Sequence, residues 1–142
     1  MRTLKFLSLA IFILTSCGKT SVQTNNYFVA FSATLNGGSA VPANASAAKG
    51  TASAVYNQNT RILSVNVIWS DIIATAAHIH TGAPGVNGAT VFTFPTVTSP
   101  INYTSVALTA AQEKELLANI YYVDIHSATY SNGEIRGQLI IQ

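Results

Sequence analysis

Between Arg61 and Trp69 the chain alternates strictly. Leu63, Val65, Val67 and Trp69 are all apolar, whereas Ile62, Ser64, Asn66 and Ile68 are mixed. Successive side chains of a strand point to opposite faces, so an apolar set at every second residue marks a strand with one face in a core. A helix would repeat its apolar residues every three or four positions instead. Trp69 is therefore expected inside. Residues 27–35, 50–56, 74–80, 90–94, 120–126 and 134–141 also have strand character. Turn clusters separate them, among them Asn36-Gly37-Gly38, Asn57-Gln58-Asn59-Thr60 and Asn132-Gly133. Residues 39–49 and 96–105 read as loops. One helix is predicted over 110–118, opened by the capping box Thr109-Ala110-Ala111-Gln112. Seven or eight short strands with one short helix point to an all-β sandwich or barrel.

The first residues are expected to be a targeting segment rather than part of this fold. Arg2 and Lys5 are basic, and residues 6–14 form an apolar run shorter than the roughly 20 residues that span a bilayer. Leu14-Thr15-Ser16-Cys17 is similar to a lipobox, the cleavage signal of bacterial lipoproteins. Cys17 is the one cysteine of the chain and sits at the position to be acylated. The expected organisation is a lipoprotein signal peptide at 1–16, a lipid-anchored polar tether at 17–26, and one domain at 27–142. Gly18 after the cysteine is compatible with outer-membrane sorting. With Cys17 acylated, no disulfide is available, and the domain must be held by its core.

Of seven basic residues, two lie in the leader, which leaves five against five acidic ones. A near-neutral chain without a basic cluster gives no electrostatic case for nucleic acid. The partners expected are the membrane, through the lipid, and an unidentified envelope or extracellular protein.

All three histidines lie in two short segments. His78 and His80 are two apart, so on a strand both imidazoles share a face; His126 ends another strand-like run. Such a set suits a transition-metal ion, with imidazole nitrogens reaching it at about 2.0–2.1 Å, the distance known for zinc. Copper(II) is the ion imidazole sites hold most tightly. Asp124, two residues before His126, is a weaker fourth candidate that would add charge. The alternative is that these histidines only pack and hydrogen-bond, oriented by Asp124 or Glu134. Glu134 and Arg136 are also two apart, and a structural ion pair is expected of them. No catalytic residues are expected. Ser127 adjoins His126 and so points to the opposite face, and no Gly-X-Ser-X-Gly elbow is present. Gly82, Gly85 and Gly88 lack dinucleotide-loop spacing and read as a turn-rich loop.

Ala77-His78-Ile79-His80 with its following glycines, Tyr121 to His126, and Gly133-Glu134-Ile135-Arg136-Gly137-Gln138-Leu139 together resemble the CHRD domain family. Residues 28–35, Val41-Pro42 and Gly50 extend the likeness over nearly all of the chain after residue 26. Ala40, Ala43, Asp124 and Ser127 depart from the pattern, which has an acidic residue, Pro, Asn and Thr there. The resemblance implies an immunoglobulin-like, Greek-key β-sandwich and no established catalytic activity. Two pieces, 77–86 and 123–126, are also similar to strands of copper–zinc superoxide dismutases. The bridging histidine and zinc-site histidines of those enzymes have no counterpart, so dismutase activity is not expected. The expectation is a non-enzymatic binding or structural module at the bacterial cell envelope, needing no cofactor. The alternative is a copper- or zinc-binding envelope protein using the three histidines.

Overall fold

The structure is a computed structural model and describes residues 27–142. The expected leader, Cys17 and the tether lie outside the described residues. The elements are β1 (Phe28–Asn36), β2 (Lys49–Asn57), β3 (Ile62–Ser70), β4 (Ala74–Thr81), β5 (Thr90–Thr93), β6 (Ile101–Thr104), α1 (Ala110–Leu117), β7 (Tyr121–Ser127), β8 (Ile135–Gln138) and β9 (Ile140–Ile141). Hydrogen-bonded neighbours run β5-β4-β7-β8-β1-β2-β3-β6, all antiparallel, and β9 pairs with β1. The sheet curls so that β5-β4-β7-β8 and β1-β2-β3-β6 enclose one core. Ile79, Val123, Ile125 and Ile135 from the first half share it with Leu35, Tyr56, Leu63 and Val67 from the second. At the open ends Phe92 and Phe94 meet Tyr103, with ring centroids 5.8 and 5.3 Å apart. This is the all-β, sandwich-like architecture expected.

β3 behaves as its alternation requires: Leu63, Val65, Val67 and Trp69 are buried. The helix also starts where the capping box places it. The Gln112 N–H donates to Thr109 Oγ1, and the Thr109 N–H donates to Gln112 Oε1. Two expectations are corrected. The loop expected at 96–105 contains β6, which pairs with β3 from Val67↔Ile101 to Ser64↔Thr104. Its two inward positions, Ile101 and Tyr103, are too few to show a period beside Pro100. The single strand expected at 134–141 is split at Leu139. The Leu139 N–H donates to the carbonyl of Tyr121 at 2.9 Å, and Ile141 then pairs with Phe31 of β1.

The outer face of β4, β7 and β8 is not bare. The Asn44 amide donates to the Glu134 carbonyl and Ser46 Oγ donates to Glu134 Oε1, which lays residues 44–46 against the end of β8. Residues 82–88 cover the neighbouring part through Arg136 and Gln138. β7 is consequently buried on both faces except at His126. A polar site built on that face is therefore partly withdrawn from water.

Candidate metal centre

β4 and β7 pair antiparallel, with Ala76 opposite His126, His78 opposite Asp124 and His80 opposite Tyr122. Ala77, Ile79, Val123 and Ile125 fill the core from these strands. Strand alternation then sends His78, His80, Asp124 and His126 to the other face, where directly opposed residues stand about 4.5–5.5 Å apart at Cβ. The core-forming residues thus place the four polar ones together. One ligand atom from each lies within 4.8 Å of all the others. All four candidate residues read from the sequence for this site converge.

The distances are short. Asp124 Oδ1 lies 3.2 Å from His126 Nε2 and 3.6 Å from His78 Nδ1, and Asp124 Oδ2 lies 3.3 Å from His80 Nε2. His78 Nδ1 and His126 Nε2 are 3.1 Å apart. On the far sides of two rings, His80 Nδ1 meets the Gly88 carbonyl at 3.1 Å and His126 Nδ1 meets the Ser131 carbonyl at 2.9 Å. A carbonyl only accepts, so both Nδ1 atoms carry the proton. In the neutral rings Nε2 is then a lone pair, and both lone pairs face a carboxylate. Lone pairs facing lone pairs repel unless a cation stands between them. His80 Nε2 and Asp124 Oδ1 are accordingly buried with no hydrogen-bond partner.

The titration behaviour has the same origin. Burial alone would raise the Asp124 carboxyl, but when His126 and His80 are protonated the hydrogen bonds they then donate from Nε2, together with their charges, outweigh it and hold its pKa down to about 2. The hydrogen bond with Asp124 pushes His126 up against the effect of burial. Burial pushes His78 down, and the neighbouring imidazoles add to this against the pull of Asp124. The carboxylate thus favours a positive charge beside it, on His126 or on a bound ion, whereas His78 disfavours carrying one. A single ion bound to neutral rings satisfies both conditions.

Around the cluster is a second set of contacts. The Tyr122 ring lies parallel to His80, with centroids 5.0 Å apart, and the Arg136 guanidinium sits 3.5 Å from the centre of the Tyr122 ring. His80 comes from β4 and Arg136 from β8, the strands on either side of β7. The Arg136 fork donates to the carbonyls of Val86 (3.0 Å) and Ala83 (2.9 Å), and Gln138 donates to that of Gly82 (2.9 Å). Gly88 is required where it stands, because a Cβ there would overlap the Thr81 carbonyl. The loop thus presents the Gly88 carbonyl to His80.

The expected Glu134–Arg136 ion pair is corrected. Arg136 is 3% exposed and spends its donors on loop carbonyls, while Glu134 accepts from Ser46 Oγ at 2.6 Å. Glu134 precedes β8, and the turn at Gly133 (φ +111°) directs it toward residues 44–46. The supporting carbonyls of Gly88 and Ser131 were not foreseen from sequence. Their only signals are the glycine-rich spacing of 82–88 and the Asn132-Gly133 turn, which mark loops without saying what they face.

The model of the CHRD domain family matches residues 31–139. The chain belongs to this family. The match takes up most of the chain, and membership of the family supports a binding or structural module. No curated protein and no solved structure matches. The first half of the site, His78 and His80, and the second, Asp124 and His126, both fall within the CHRD match.

Proposed function

We propose that this CHRD domain acts at the bacterial cell envelope by binding rather than by catalysis, and that its histidine cluster takes a divalent transition-metal ion, copper(II) or zinc. The observation that carries the metal reading is the orphaned pair His80 Nε2 and Asp124 Oδ1 within a convergent group of three imidazoles and a carboxylate. Nitrogen-rich sites with one carboxylate suit copper and zinc, whereas calcium and magnesium require mostly oxygen ligands. The carbonyls behind His80 and His126 are the outer-shell partners that orient metal-bound imidazoles. Metal analysis of the purified full chain, followed by calorimetric titration with copper(II) and zinc, tests the reading. Binding that disappears in His126→Ala supports it. No uptake of either ion leaves a binding or structural module without a metal.

The envelope location rests on the leader and on Cys17. Acylation there gives the membrane as one partner, and each buried CH₂ of the lipid adds about 0.8 kcal/mol of membrane affinity. The other partner is an envelope or extracellular protein. Cys17→Ser is expected to abolish lipid labelling, and labelling that survives the change rejects the anchor. No helix among the described residues is long and apolar enough to cross a membrane.

A further inference from the structure

The three imidazoles are not held alike. His80 is fixed by the Gly88 carbonyl on one nitrogen and by the parallel Tyr122 ring on its face. His126 is fixed by the Ser131 carbonyl. Both present Nε2 to Asp124. His78 turns Nδ1 inward instead, toward His126 Nε2 and Asp124 Oδ1. Among the described residues nothing hydrogen-bonds its Nε2. Its side chain is also the most exposed of the three, 20% against 12% for His80 and 13% for His126. It meets both other rings edge-on, at 80° and 81°, so neither covers its face by stacking.

These differences have a coordination meaning. A ring whose second nitrogen is hydrogen-bonded is fixed in tautomer and orientation, and a ring without that partner is free to change rotamer. His80, His126 and Asp124 therefore form a preorganised set of three. Four fixed protein ligands make a closed structural metal site, whereas three leave the fourth position to a ligand from outside.

We propose that His78 is the exchangeable ligand of this centre. It swings outward to admit the ion, and the place it leaves accepts a monodentate nitrogen donor from outside, such as the imidazole of a peptide histidine. The vacated space is ring-shaped, is bounded by two imidazoles, and lies on the exposed side of the cluster. This rests on the metal reading above.

The test compares three variants of the full chain. His78→Ala is expected to weaken copper(II) binding about 10–100-fold, as loss of one supporting interaction at a metal does. Free imidazole at millimolar concentration should restore most of that loss. His80→Ala and His126→Ala are expected to lose binding far more heavily, without rescue. Equal losses in the three variants, or equal rescue, overturn the assignment. Nitrogen-15 NMR of the metal-free chain supplies a reading independent of metal. His80 and His126 should each show a single sharp ring environment, and His78 should show line broadening from exchange between rotamers; a His78 ring as fixed as the other two overturns the proposal. If the wild-type chain takes neither copper nor zinc, the metal reading falls and this proposal falls with it. If the wild type binds and His78 behaves like the others, only this proposal fails.

Discussion

Tyr122 and His80 stand opposite each other across β7 and β4 with their rings 8° from parallel. The same tyrosine accepts from the Gly88 N–H through its hydroxyl at 3.2 Å, while the Gly88 carbonyl accepts from His80. One side chain therefore holds the imidazole directly by stacking and indirectly by fixing the residue that orients it.

The ring and hydroxyl of Tyr122 can be separated by substitution. Tyr122→Phe keeps the stack and leaves the Gly88 N–H unpaired. Its expected cost is about 0.5–1.5 kcal/mol, the net value of a typical intramolecular hydrogen bond, with metal affinity nearly retained. Tyr122→Ala also removes a buried ring, and about 3–5 kcal/mol is expected, together with weaker metal binding. Denaturant unfolding of the metal-free chain and calorimetric titration measure the two effects. Equal behaviour of the variants would mean that the stack contributes nothing.

Arg136 and Glu134 are expected to act independently. Arg136→Met removes the guanidinium from the Val86 carbonyl and from the Ala83 carbonyl, which keeps the Val86 N–H at 3.0 Å, at a cost of about 1.5–3 kcal/mol for each hydrogen bond made by a charged group. Glu134→Gln keeps an acceptor for Ser46 and should cost less than about 1 kcal/mol. Because the two share no partner, a double-mutant cycle should give a coupling below about 0.5 kcal/mol. A coupling well above that would restore the ion pair read from their spacing.

These two residues also show how far the sequence reaches. Period-2 reasoning places residues on faces, and it places Leu63 to Trp69, Ile135 and both halves of the histidine cluster correctly. It carries no information about what covers the second face. Spacing pairs Arg136 with Glu134 because a shared strand face is all that the alternation contains. The cover of residues 82–88 and 44–46 is a tertiary fact, fixed by Gln138, Asn44 and Arg136 reaching backbone carbonyls far away in sequence. The pairing of β4 with β7, which brings His80 and His126 together, is likewise long-range. Spacing names the candidate ligands, but only the register joins them.

Leu139 tests the break between β8 and β9. It is fully buried although it belongs to neither strand, and its N–H is used by the Tyr121 carbonyl. Leu139→Ala is expected to cost about 2–5 kcal/mol in chemical unfolding, the range for a buried leucine in a packed core. A loss within experimental error would place that side chain outside the core.

Acid should find the cluster through Asp124. Its carboxyl is held at about 2 in the folded chain against 3.8 in the free residue, so the unfolded chain binds more protons between those values. The stabilisation is therefore complete above about pH 4 and is lost as pH falls through 2. Lowering a pKa by one corresponds to about 1.4 kcal/mol, so the loss is on the order of 2 kcal/mol. His126 is the same interaction seen from its partner and is counted once. Its raised pKa makes its share complete below 6.5 and lost as pH rises through the folded value. His78 works in the opposite sense. Burial lowers its pKa, so it erodes stability as pH falls below 6.5, before Asp124 begins to titrate. Asp124→Asn isolates the carboxylate. Denaturation midpoints of the metal-free chain should drop more steeply in wild type than in the variant between about pH 4 and 2. Parallel curves over that window would show that Asp124 draws no net stabilisation from its histidines.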